Sequence, residues 1–326
     1  MKVLAKRLAR KLHTILVPPP AAKAVPLRNP YPIRTSSQSS RSHVDEYWGE
    51  HTIKSEPFAT AQDGLDWLKY RSKIYPLSFQ FKGLWDDHQG KVLVDYGCGP
   101  GHDLMGFQVF SRPAKVYGID ISHKALSLAG HNSALHNIPA ERIELIQTGD
   151  LSDRIPLSDG CVDYVHCCGV LHHTTAPEVI LKEFHRILKP GGKGMLMIYN
   201  TDSLFVHLYI AYVKRFVDSD CAGLSVEEIF TRSTDGASCP ISRSYRGAEF
   251  AEICQHAGFD TEYLGGFVAC NELDLWDQHG AKALRDARLG EPHKSFLKQL
   301  DWDASGLPYF QGKAAGVGGS FRIRKQ

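Results

Sequence analysis

Three glycines and a carboxylate, at the end of one apolar run, give this 326-residue chain its clearest chemical signal. In VLVDYGCGPG, Asp95 precedes Gly97, Gly99 and Gly101, with the spacing G-x-G-x-G where a buried strand should turn into a helix. Glycine there lets backbone approach a ligand closely, and the helix that follows presents unpaired N–H groups. Nicotinamide and flavin enzymes use a related turn with G-x-G-x-x-G spacing to hold a pyrophosphate. A carboxylate two residues before the first glycine would repel a pyrophosphate and attract an ammonium. Asp120 ends the run VYGID nineteen residues after Gly101, a spacing from which an acid can hold both hydroxyls of a ribose. Asp150, in the pair Gly149-Asp150 after IELIQT, is placed to accept a hydrogen bond from an adenine amine. Capping and turn roles compete with these readings at both acids.

The elements that must position these residues alternate. From Lys91 onward strand-like and helix-like segments follow one another, the mark of a parallel sheet with crossover helices. KVLVDYG, KVYGIDI, IELIQT and CVDYVHCC read as strands; HDLMGFQVF and SHKALSLAGHNSALHN read as helices, the second capped by Ser122. PEVILKEFHRILKPGG has Ile180, Phe184, Ile187 and Leu188 at helical spacing, and Pro190-Gly191-Gly192 is expected to stop it before the strand GMLMIY. After Asn200 the alternation lapses into an aromatic-rich helix, LFVHLYIAYVKRF, and a polar loop, STDGASCPISRSYR. It resumes with the helix AEFAEICQHAG, the strand DTEYLGGFVA and a terminal strand, GGSFRIRK. Ahead of the sheet, GLDWLKYRSKIYPLSFQF predicts a helix entering a break at Pro76, and ordered structure is expected to begin near Asp45.

Residues 1–44 carry nine lysines and arginines and no acid, which leaves 29 basic against 36 acidic residues in the remainder. That mildly acidic body argues against a nucleic-acid substrate held on a broad basic face. Residues 1–16 place Leu4, Leu8, Leu12 and Ile15 on one face of a basic amphipathic helix, and a Pro- and Ser-rich stretch then reads as an extended or disordered linker. A frayed surface helix, a peripheral membrane contact and an organelle targeting peptide are the readings open for residues 1–16. No apolar run is long enough to span a bilayer. Eight cysteines without a paired framework fit reduced thiols in a cytoplasm-like compartment.

In order and spacing, VLVDYGCGPG, VYGIDIS, TGD, DYVHCCGVLHHT and RILKPGGKGMLMIY resemble the class I S-adenosylmethionine-dependent methyltransferases, especially the small-molecule group that includes quinone-type enzymes. The resemblance covers roughly residues 90–200. It implies an α/β, Rossmann-like fold: a seven-stranded, mostly parallel sheet with helices on both faces, and a last strand running antiparallel beside the sixth. It implies S-adenosylmethionine as cofactor and methyl transfer to a small-molecule acceptor. Carried over, Asp95, Gly97, Cys98, Gly99 and Gly101 would surround the methionine part and Asp120 with Ile121 the ribose. Asp150 with Leu151 would flank the adenine, and Gly169 would end the fourth strand facing the sulfonium. Residues 45–326 would form the methyltransferase domain, with about 46–90 and 201–315 as a helical and loop substrate cap.

The sulfonium methyl is already electrophilic, so such a site must mainly hold nucleophile, methyl and sulfur in line in a dry pocket. A neutral hydroxyl or carbon acid also needs a base, and His172 and His173 follow the fourth strand, where the methyl should point. A metal reading of His166, Cys167, Cys168, His172 and His173 is set aside, because adjacent strand residues face opposite ways and C-x-x-C spacing is absent. Tyr70, Arg71 and Tyr75, in the helix before the core, have two readings: they reach over the cofactor, or they pack and face solvent on that helix. The polar loop from Thr234 to Tyr245, with Arg243 and Tyr245, suits a substrate-facing lid. A cofactor-binding scaffold without turnover and, further off, a nicotinamide-dependent oxidoreductase are the competing functions; oligomeric state is not readable.

Overall fold

The structure is a computed structural model that describes residues 25–36, 42–52, 54, 56–75, 87–218, 221 and 223–326. The amphipathic segment expected over residues 1–16 lies outside the described residues. The strands are β1 (Ile33–Thr35), β2 (Val92–Tyr96), β3 (Lys115–Asp120), β4 (Ile143–Gln147), β5 (Val162–Cys168), β6 (Leu188–Asn200), β7 (Ser244–Tyr245), β8 (Phe259–Phe267), β9 (Asp301–Trp302), β10 (Pro308–Phe310), β11 (Lys313–Ala314) and β12 (Gly318–Lys325). The helices are α1 (His43–Glu50), α2 (Ala61–Ile74), α3 (His102–Gly106), α4 (His123–Ala134), α5 (Pro177–Ile187), α6 (Val226–Thr234), α7 (Gly247–His256), α8 (Cys270–Arg285) and α9 (Glu291–Lys298). Wide π-type turns continue α3 over Phe107–Ser111 and form a separate helix at Phe205–Val217.

The main sheet has the order β1-β4-β3-β2-β5-β6-β12-β8, with β7 pairing β6 as its ninth strand. Every pair from β1 to β6 is parallel, and β12 runs antiparallel between β6 and β8. The expected seven strands and the inserted antiparallel strand are thus present, and the two additions, β1 and β7, are short edge pieces. Adjacent strand residues point to opposite faces, so β2 sends Leu93 into one core with Leu104, Phe107 and Leu126, and Val94 into another with Phe184, Ile187 and Phe250. A sheet covered on both faces needs apolar residues without alternation, which is why VLVDY reads as a continuous run.

Local chemistry sets the helix boundaries. The Ser122 hydroxyl accepts from Ala125 N at 3.2 Å and caps α4 as its sequence predicts. Ser42 and Asp45 form a capping box on α1, and Thr60 and Asp63 form one on α2. Helix α5 ends at Ile187, ahead of the Pro190-Gly191-Gly192 expected to stop it, and β6 already contains that tripeptide. Lys189 precedes proline and is therefore pushed to extended backbone, while Gly191 at φ 75° takes up the irregularity opposite Val162 and Tyr164.

Two expectations about the periphery are corrected. Ordered structure begins well before Asp45: Ile33–Thr35 pairs with β4, and the Tyr31 hydroxyl donates to Ile138 O at 2.7 Å. The open edge of β4 offered unpaired backbone groups, which outweighed the extended-linker tendency of a Pro-rich stretch. Beyond Phe267 the chain builds α8, α9 and a three-stranded sheet of β9, β10 and β11, which the sequence pattern did not reveal. Their core joins Leu204, Leu208 and Tyr212 of the π-type helix region to Ala283, Phe296 and Leu297. Among the described residues, no helix is long and apolar enough to cross a membrane.

Candidate active site

Strand order reverses between β2 and β5, since the chain proceeds from β2 outward to β4 and then returns to lay β5 and β6 on the other side. Crevices beyond the carboxyl ends of strands at such a reversal are where open α/β sheets take ligands. A cavity of about 540 Å³ lies there, walled by the turns after β2, β3, β4 and β5, by α1 and α2, and by the cap.

One end of the cavity is made by backbone. Gly97 N and Cys98 N donate to Ile119 O at 2.7 and 3.0 Å, folding the glycine turn back onto β3. Gly97 has φ 69°, and a Cβ there would lie 2.1 Å from Val170 Cγ2, so only glycine lets the turns after β2 and β5 meet. Gly99, at φ 52°, has an open face, with nothing nearer than Thr52 Oγ1 at 3.9 Å from a built Cβ. The Asp120 carboxylate accepts from Gly99 N and Ser122 N, each at 2.8 Å, and burial raises its pKa. Asp150 accepts from Thr175 N at 2.9 Å and from the Thr175 hydroxyl, while its own N–H donates to Asp45 Oδ1 at 2.9 Å.

Between the ends lies a buried charged network. Arg71 of α2 donates to both oxygens of Asp103 at 2.8 and 3.2 Å, and His166 Nε2 stands 3.2 Å from Asp103 Oδ2. Burial raises the Asp103 pKa, but Arg71 and His166 outweigh it and hold the group well below the carboxylate range. Burial likewise disfavours charged His166, yet the Asp103 bond lifts it to about 10. Asp95 sits beside this network with Oδ2 buried and without a hydrogen-bond partner, and burial raises its pKa against the pull of His166. His102 is pushed down to about 3 by burial and by Arg71.

The other end is aromatic, with Tyr75 against Phe267 and with Trp48 and Tyr199 each against His173. Here His173 Nδ1 lies 2.7 Å from Ile241 O and its Nε2 lies 3.3 Å from Asp235 Oδ2, to which the Tyr199 hydroxyl donates at 2.8 Å. Burial lowers the His173 pKa, and Asp235 reverses this to about 9; burial raises Asp235, and His173 reverses this downward. The two are an ion pair at neutral pH.

The cavity wall contains Asp95, Gly97, Cys98, Gly99, Asp120, Ile121, Asp150, Gly169, His173, Tyr70, Arg71 and Tyr75, twelve of the residues singled out in the sequence. Five others stand behind it. Gly101 packs on α4, where a Cβ would be 2.6 Å from Ala129 Cβ. Leu151 is 53% exposed on the outer side of its turn. His172 is fully buried against Tyr199, 4.0 Å between ring centroids, with neither nitrogen bonded; burial keeps it neutral, so a base role does not fit it. Arg243 points its guanidinium at Thr174 O, 2.9 Å away, and Tyr245 packs on Phe250 in the core, so neither lines the cavity. Sequence reading missed Trp48, Tyr199 and Phe267 as site residues, with DEYW as a trace of the first, whereas Asp235 belongs to the polar loop expected to face the substrate. Among the described residues there is no cluster of three or more metal-ligating side chains.

Residues 94–196 match the family described as "Methyltransferase domain". An uncharacterized 37.1 kDa protein in transposon TN4556 of Streptomyces fradiae is 31% identical over 176 residues, 53% of this chain and 45% of that protein. The ubiquinone biosynthesis O-methyltransferase of Chromobacterium violaceum is 26% identical over 60% of this chain and 75% of its own length. That of Neisseria meningitidis serogroup C is 27% identical over 69% of this chain and 81% of its own. The match therefore spans less than half of the first relative and at least three quarters of the other two. Residues 94–196 thus carry a methyltransferase domain of the class I, S-adenosylmethionine-dependent kind.

Proposed function

We propose that the cavity holds S-adenosylmethionine along its glycine end and that the methyl passes to a hydroxyl of a small, largely apolar acceptor at its aromatic end. The observation that carries this reading is Asp120, bonded to Gly99 N in the wall of a cavity whose far end is aromatic. The donor set suits the cofactor. Asp95 has an unpartnered buried oxygen for an ammonium, and an ammonium would in turn keep Asp95 ionised. Arg71, in the wall beside its partner Asp103, brings a positive charge near the cofactor's carboxylate, and each Asp120 oxygen keeps acceptor capacity for a ribose hydroxyl beside its bond to Ser122 N or Gly99 N. Asp150 retains acceptor capacity for an adenine amine beside the bonds it makes to Thr175.

When bound, the cofactor supplies an electrophilic sulfonium methyl. The chain's task is then to align the acceptor and keep water out, which Trp48, Tyr75 and Phe267 serve by lining the acceptor end. Oxygen as the nucleophile is supported by the two relatives named as O-methyltransferases. On this reading residues 90–200 are the cofactor core, and 46–90 with 201–315 are the acceptor cap.

Calorimetry with S-adenosylhomocysteine and a radiolabelled transfer screen over hydroxylated aromatics test the reading. Cofactor-product affinity with transfer to hydroxyls is expected. No affinity for either form of the cofactor ends the reading, and transfer confined to amines replaces the oxygen assignment. Peripheral membrane contact through residues 1–16 is a separate proposal resting on their basic amphipathic pattern. Full-length protein should sediment with anionic vesicles, and equal sedimentation of a chain lacking residues 1–24 would dismiss it.

A further inference from the structure

We infer that Asp235, carried by the cap loop after α6, is the group that receives the acceptor's hydroxyl proton, with His173 and Tyr199 as its positioning residues. The inference rests on the proposed transfer to oxygen and supplies the side chain such a transfer needs.

Asp235, His173 and Tyr199 all line the aromatic end of the cavity. His173 does not itself receive the proton. A carbonyl oxygen only accepts, so His173 Nδ1, 2.7 Å from Ile241 O, carries a hydrogen. An ionised carboxylate also only accepts, so Nε2, 3.3 Å from Asp235 Oδ2, carries another. With both nitrogens protonated the ring has no lone pair left. The Tyr199 hydroxyl is likewise committed as a donor to Asp235 Oδ2 at 2.8 Å. The contacts of His173 and Tyr199 fall on Oδ2 and a further side-chain hydrogen bond comes from Thr234, so the Asp235 carboxylate, a part of the cavity wall, keeps acceptor capacity for one more donor.

In the step this arrangement serves, the acceptor O–H donates to Asp235. As an oxygen lone pair forms the bond to the methyl carbon, the carbon–sulfur electron pair stays with sulfur. The O–H electron pair stays with oxygen, and the proton passes to Asp235. One positive and one negative charge disappear together, so the net charge of the site is unchanged. A carboxylate beside an imidazolium is a weak base toward a resting hydroxyl, but the oxygen becomes strongly acidic once its new bond is forming. Proton transfer therefore follows bond formation, and the neutral acid returns its proton to water after the product leaves.

The test uses the full chain with 2-naphthol and naphthalene, a pair differing by one hydroxyl. In the S-adenosylhomocysteine complex, Asp235→Ala should weaken 2-naphthol about tenfold, the size of one hydrogen bond to a charged group, and leave naphthalene unchanged. At saturating 2-naphthol and radiolabelled cofactor, Asp235→Asn should slow transfer by about a hundredfold or more, as loss of a proton acceptor does. Tyr199→Phe, which removes one bond to Asp235, should lower transfer by about threefold to tenfold. It keeps the inference testable if the Asp235 variants fail to fold. Equal transfer in wild type and Asp235→Asn, equal loss of both probes in Asp235→Ala, or no hydroxyl-dependent affinity in the wild type overturns the role of Asp235. Loss of S-adenosylhomocysteine affinity in the wild type instead brings down the methyltransferase assignment of the cavity, so the two failures are distinguishable.

Discussion

The two ends of the cavity are built by different means. At the glycine end, contacts come from the backbone of short contiguous turns: Gly97 and Cys98 on Ile119 O, and Gly99 and Ser122 on Asp120. At the aromatic end, side chains converge from α1, the turn after β5, β6, the loop after α6 and β8, so Trp48, His173, Tyr199, Asp235 and Phe267 meet across more than two hundred residues of sequence. A backbone-built surface tolerates no added atom where its turns touch, as at Gly97, whereas a side-chain-built surface can be reshaped one residue at a time. A common cofactor and a variable acceptor ask for those two properties.

The largest effect that would sharpen this contrast is expected from Gly97→Ala. Its Cβ would fall 2.1 Å from Val170 Cγ2 in a left-handed conformation, costing about 2 to 4 kcal/mol and most of the cofactor affinity, read by urea unfolding and calorimetry. A silent substitution would break the argument that the turn is sterically closed. Next comes Asp120→Ala, which should weaken S-adenosylhomocysteine by about tenfold to a hundredfold by removing charged hydrogen bonds, with far-ultraviolet circular dichroism unchanged. Unaltered affinity would remove Asp120 from the ribose assignment.

The third effect belongs to the aromatic end and depends on pH. His173 has its pKa raised to about 9 in the folded chain, above the unfolded histidine value of about 6.5. Its contribution to stability is therefore complete below about pH 6.5 and is lost as pH rises through about 9. Denaturant midpoints of wild type and His173→Gln should differ most in mildly acidic solution and converge in that window. A constant difference would show that the pair with Asp235 carries no net proton linkage. The smallest effect is expected from Arg243→Ala, which removes the bond to Thr174 O from behind the wall. About 1 kcal/mol of stability should go, with cofactor affinity untouched.

The same division explains what was legible in the sequence. Runs such as VLVDYGCGPG and VYGIDIS state the strand, the turn and the acid together, because the contacts they make are local or lie between adjacent parallel strands. Ser122 was readable as a cap for the same reason. Asp235 was visible only as part of a polar loop, since its partners are residues 173 and 199 and its exposure depends on how the cap closes. Arg243 and Tyr245 have the right chemistry for a substrate contact, yet nothing in their order says that their side chains turn toward Thr174 and Phe250. Helices α8 and α9 escaped notice because the stretch from Cys270 to Lys298 mixes charges with scattered aromatics, and its apolar face becomes evident only against the π-type helix.

Helix α1 is eight residues long, yet it fastens to three separate turns. Asp45 receives Asp150 N, Gly49 O receives the Ser122 hydroxyl, and the Tyr47 hydroxyl reaches Asp235 O. A single clasp thus closes over both ends of the chamber. Detaching it would bare both ends to solvent at once, at the expense of a handful of hydrogen bonds.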